Sequence, residues 1–137
     1  MDKNLITRWF ANRHLFAFNG VDSRTPLDYV HPYHRADLQK IIDSAPPSID
    51  MIIVYGSSIG DYLHDDSDLD LAIISKDRQC LSRDFLYGLG LSTTVDAHIF
   101  DSLQELIDQA QGLFPTPRAI IDQGLPVYVK QKEVIML

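Results

Sequence analysis

Gly56-Ser57-Ser58-Ile59-Gly60-Asp61-Tyr62-Leu63-His64-Asp65-Asp66-Ser67-Asp68-Leu69-Asp70-Leu71 is the stretch on which the reading of this chain turns. Just before it, Met51-Ile52-Ile53-Val54-Tyr55 is an unbroken apolar run, which predicts a strand buried on both faces. Its last residues enter a second predicted strand, Leu69 to Ile74. Gly56-Ser57 thus falls at a strand end, where glycine lets the backbone turn sharply and approach a ligand closely. Amides and a hydroxyl so placed can bind phosphate oxygens. Asp68 and Asp70 stand two residues apart. In a strand that spacing puts them on one face, roughly 6.5–7 Å apart along the chain. Such a pair can lean toward one divalent cation, or bridge two that lie about 3.5–4 Å apart. Leu69, Leu71 and Ile73 then face the other way, into a core.

Working outward, Thr93 to Phe100 predicts a third strand, with β-branched residues and alternation. Val95, Ala97 and Ile99 share one face and Asp96 and His98 the other. If this strand lies beside Leu69–Ile74, at about 4.8 Å, Asp96 joins Asp68 and Asp70. Hard carboxylate oxygens suit Mg²⁺ or Mn²⁺. Without a cation, three clustered carboxylates repel one another and favour protonation.

The remaining segments supply helices. Leu5-Ile6-Thr7-Arg8-Trp9-Phe10 has apolar pairs at helical spacing. A helix starting near Pro32 carries Leu38, Ile41 and Ile42 inward and stops at Pro46-Pro47. Leu81 to Leu89 predicts a third helix, Leu103, Leu106 and Ile107 mark a fourth, and Pro117 opens a fifth ending at Gly124. Val127-Tyr128-Val129 predicts a last strand. Intermixed strands and helices predict an α/β (α+β) class, with a central mixed β-sheet flanked by helices. The 137 residues fit one domain. Within it, residues 1–49 read as an N-terminal helical extension and 50–130 as the core.

Composition narrows the function classes. Twelve Lys and Arg against nineteen Asp and Glu give a net charge of −7, which argues against general nucleic-acid binding. No apolar run approaches a membrane span, and no basic, then apolar leader opens the chain, so a cytoplasmic location is expected. The single cysteine, Cys80, excludes an internal disulfide framework.

Gly56-Ser57, ten residues, Asp68-x-Asp70 and a later Asp96 on a neighbouring strand resemble the signature of the DNA polymerase β-type nucleotidyltransferases, in their minimal form. The resemblance covers about Ile52 to Phe100. It implies the nucleotidyltransferase fold, with Gly56 and Ser57 on the triphosphate of a nucleotide. It also implies that Asp68 and Asp70 hold two Mg²⁺ or Mn²⁺ ions, with Asp96 on the second metal, favouring deprotonation of an attacking hydroxyl. ATP is then the expected substrate, and an NMP group, AMP, moves to a hydroxyl acceptor as pyrophosphate leaves. Little chain remains for an acceptor site, so the resemblance points to a partner protein such as a HEPN-type toxin, modified by its antitoxin. The alternatives are an aminoglycoside-type transferase that dimerises to complete its site, or a non-catalytic binding module of the same fold. Ser58 and Ile59 are neutral where many members carry a basic residue.

Plainer readings stand beside these. Asp65, Asp66, Asp68 and Asp70 also suit an acidic, solvated turn. Asp66-x-Asp68-x-Asp70 resembles the start of an EF-hand loop, but Leu71 and Asp77 stand where that loop needs Gly and Glu. His98 orients a carboxylate, is solvated, or acts as a ligand or base. Cys80 reads as a packing residue and His64 as a loop residue. Arg8 and His14 read as a chance pair, since no long helical bundle accompanies them.

Overall fold

The computed structural model describes residues 23–24, 30, 32–56, 68–112 and 114–129. Its elements run β1 (Ser23–Arg24), α1 (Pro32–Asp43), β2 (Ile49–Val54), β3 (Leu69–Ser75), α2 (Arg83–Gly88), β4 (Val95–Phe100), α3 (Leu103–Gln111), α4 (Pro115–Gln123) and β5 (Leu125–Val129). They build one five-stranded mixed sheet, ordered β1-β5-β2-β3-β4. Every pairing is antiparallel except β3 with β4. A parallel pair needs a crossover, and α2 provides it.

Alternation along the strands separates two cores. Ile49, Ile52 and Val54 of β2 share a cluster with Leu69, Leu71 and Ile73 of β3, covered by Leu38, Ile41 and Ile42 of α1. Met51 and Ile53 of β2 join Ala72 and Ile74 of β3 on the other face, under Leu103, Leu106 and Ile107 of α3 and Ile120 of α4. The expected mixed sheet flanked by helices is therefore observed, and it is buried on both faces as the apolar runs require. Six of the residues in β2 and β3 that line these clusters are isoleucine or valine, whose branched Cβ suits a packed pleat.

Several boundaries differ from the expected ones for local reasons. Helix α2 starts at Arg83 rather than Leu81, because the Ser82 hydroxyl accepts from Phe85 N and caps the first turn. Helix α4 starts at Pro115, two residues before the expected Pro117. Proline costs nothing at either position, since first-turn N–H groups have no partner within the helix. Strand β4 starts at Val95, not Thr93, and β2 begins at Ile49, with a register shift before Met51. The helix expected over 5–10 lies outside the described residues.

Candidate active site

Asp70 sits in β3 opposite Asp96 in β4, as register partners on adjacent parallel strands. The expected juxtaposition of these two carboxylates is thus present. Asp68 lies one residue before β3 and is exposed, so it flanks the strand rather than belonging to it. Ser57 falls outside the described residues. Gly56 is described, and it lies at the end of β2, where the Tyr55 amide donates to the Asp70 carbonyl at 3.2 Å.

Gly56 is required there twice over. Its φ of +72° is left-handed, a conformation that L side chains adopt only with strain. A Cβ at this position would also stand 2.8 Å from Asp70 Oδ2. The glycine of the motif therefore makes room for the carboxylate of the motif, a relation that spacing alone does not reveal.

The electrostatics follow from this crowding. Burial, then the charges of Asp96 and Asp68, push the Asp70 carboxyl above its ordinary range, while His98 opposes the shift. The Tyr55 hydroxyl is pushed up too, by burial first and then by Asp70 and Asp96. It is held as a neutral phenol at physiological pH. The Tyr55 ring lies 6.3 Å from the His98 ring. His98 Nε2 is 3.7 Å from Asp96 Oδ1, too long for a hydrogen bond. Tyr55 was legible in the sequence only as the end of an apolar run. Its place opposite Asp70 is set by strand pairing.

Among the described residues, no three His, Cys, Asp or Glu side chains form a closed metal-binding group. Beyond the effect of burial, the charges of Asp96 and Asp68 add to the rise at Asp70. That repulsion is what a hard divalent cation would relieve, and the all-oxygen donor set fits Mg²⁺ or Mn²⁺. Cys80 is buried, and burial pushes its thiol up, so it packs and does not react.

A two-layer-covered mixed sheet with acidic residues in register at one end of two neighbouring strands defines a nucleotidyltransferase-type domain. The model of the family described as Polymerase beta, Nucleotidyltransferase matches residues 36–133, from within α1 to beyond β5, and the chain belongs to that family. A comparison with curated proteins finds no match. Among the described residues, no helix is long and apolar enough to cross a membrane.

Proposed function

We propose that this protein transfers a nucleoside monophosphate, AMP from ATP, to a hydroxyl on a partner protein of the HEPN-toxin kind. The observation that carries the reading is the Asp70–Asp96 pair, in register on parallel strands beside a left-handed Gly56. The chain acts as one domain. Before β2, α1 packs Leu38, Ile41 and Ile42 on the sheet.

Asp68, Asp70 and Asp96 would hold the divalent cations. When bound, these would neutralise phosphate charge and acidify the attacking hydroxyl. Gly56 and Ser57 would receive the triphosphate, Gly56 because its bare backbone admits a close approach. Asp70, half-buried between the two neighbouring strands, is the fixed anchor. Asp96, with 55% of its side chain exposed, faces the side from which an acceptor arrives. It favours loss of the acceptor's proton. The acceptor oxygen then forms a bond to the α-phosphorus as the bond to the bridging oxygen breaks, and pyrophosphate departs. Positioning and charge supply the catalysis.

Incubation with α-labelled ATP, Mg²⁺ and the candidate acceptor tests this. Label should appear on the acceptor with the wild type. With Asp96→Asn it should fall by about 10²–10⁴-fold while ATP binding persists. Equal labelling by both proteins would refute the role of Asp96. ATP binding without transfer to any acceptor would favour the non-catalytic module.

A further inference from the structure

β4 is the last strand of the sheet, and among the described residues it pairs only with β3. The Leu69 amide donates to the Thr94 carbonyl at 2.9 Å, so the backbone groups of Thr94 face β3. By alternation those of Asp96 and His98 do likewise, while those of Val95, Ala97 and Ile99 face the open edge. Arg78 Nη1 donates to the Ile99 carbonyl at 3.0 Å. A carbonyl has two lone pairs, so that contact does not exhaust it.

The residues along this edge read the same from either end. Val95-Asp96-Ala97-His98-Ile99 is β-branched, acidic, small, basic, β-branched about Ala97. Turned end over end against itself, the strand sets Val95 opposite Ile99, Asp96 opposite His98, and Ala97 opposite its own copy. Aliphatic meets aliphatic and imidazole meets carboxylate, the pairings that stabilise antiparallel strands. The outward groups of Val95, Ala97 and Ile99 are the ones such a pairing uses.

The flanks of the edge agree. A groove of about 850 Å³ runs along its start on one face, lined by Leu86, Tyr87, Leu91 and Val95 among others. A second, of about 390 Å³, runs along its end on the other face, between His98, Ile99, Glu105 and Pro117. Tyr87 beside the first is 88% exposed, and Phe114, next to the helix that borders the second, is 58% exposed. These are the two most exposed large hydrophobic residues described. A sheet edge left unpaired among the described residues, with apolar fringes, is a surface that proteins normally protect or use.

We infer that the edge of β4 pairs antiparallel with β4 of a second copy of this chain, about a twofold axis at Ala97. The two sheets become one, the contact is isologous and closed, and His98 of each copy lies against Asp96 of the other. Each candidate site then includes a side chain from the second copy. One oxygen of Asp96 accepts from that imidazole and the other stays available, so the pairing orients the carboxylate.

Sedimentation velocity of the full chain over a wide concentration range is the test, with circular dichroism to confirm folding. The wild type is expected to form dimers. His98→Asp sets like charges opposite each other twice and should raise the dimer Kd by roughly tenfold or more. The charge-swapped double variant Asp96→His with His98→Asp should restore dimers, which a merely structural role for His98 would not. Ala97→Pro removes the outward N–H at the axis without touching the pairing to β3, and should also give monomers. A wild type that stays monomeric at every concentration overturns the inference. So does a dimer indifferent to both His98→Asp and Ala97→Pro.

Discussion

β3 and β4 are parallel neighbours with two identical residue pairs in register, yet they live in different environments. Asp70 faces Asp96, and Ile73 faces Ile99. β3 is held between two strands, and all of its residues but Asp70 are buried. β4 has one neighbour among the described residues, and only Phe100 in it is buried. One carboxylate is therefore anchored and electrostatically strained, while its partner is accessible. The contrast teaches that register brings reactive groups together, whereas position in the sheet decides which of them can move or meet an outside molecule.

The largest expected break in that contrast comes at the anchored member. Asp70→Asn should lower nucleotide transfer on the order of 10³-fold, the scale lost when a fixed charged contact to the reacting groups is removed. Transfer rates measured with labelled ATP decide this, and an Asp70→Asn protein that works nearly as well would reverse the roles assigned to the two strands.

Paired substitutions at Ile73 and Ile99 sharpen the same contrast in stability. Ile73 is fully buried, so Ile73→Ala should cost about 2–5 kcal/mol in urea unfolding. Ile99→Ala, on the open edge, should cost about 1 kcal/mol or less in dilute solution, as for a partly exposed aliphatic. If the Ile99 cost grows with protein concentration, a second copy covers the edge. Equal costs at every concentration would show that the two strands are not differently packed.

Gly56 tests how tightly the anchored carboxylate is housed. Gly56→Ala imposes a left-handed conformation on alanine and drives its Cβ against Asp70. A loss of about 1–3 kcal/mol is expected. In the double variant Gly56→Ala with Asp70→Gly, part of that loss should return, because the steric part depends on Asp70. Additive losses in a double-mutant cycle would remove the close approach from the argument.

The smallest effect is the pH dependence of the metal-free protein. The folded state holds Asp70 above its unfolded value, so the folded protein binds more protons in that window. The stabilising contribution is thus fully present below the unfolded carboxylate pKa. It is lost as pH rises from there through the raised folded value. Asp70→Asn should flatten this slope and slightly raise the melting temperature at neutral pH. Mg²⁺ should raise that of the wild type alone. A wild type and variant with identical pH profiles would contradict the repulsion described at the site.

Much of this was legible in the residues themselves. The apolar run at Met51–Tyr55, and that at Leu69–Ile74 broken only by Asp70, read as strands because they are short, rich in β-branched residues and closed by turn residues. The alternation in Val95–Ile99 places Asp96 and His98 on one face. What could not be read was set by partners distant in the chain. The parallel register of β3 and β4, the clasp of Gly56 around Asp70 and the position of Tyr55 all depend on pairing across loops. Helix starts moved by two residues because a single hydroxyl or proline decides them, whereas periodicity averages over a turn.

The place of β5 has a consequence for how the molecule is made. β5, the last described strand, lies inside the sheet, between β1 and β2. Until it is synthesised, β2 has a free edge along Ile52, Ile53 and Val54, which β5 later covers through Tyr128, Pro126 and Leu125. A nascent chain can dock β2, β3 and β4 early, but it carries an open aliphatic edge until its far end arrives. Such long-range closure is slow compared with local pairing. Chains cut short before Leu125 would leave this edge of β2 uncovered, so premature termination should yield aggregates rather than small folded fragments.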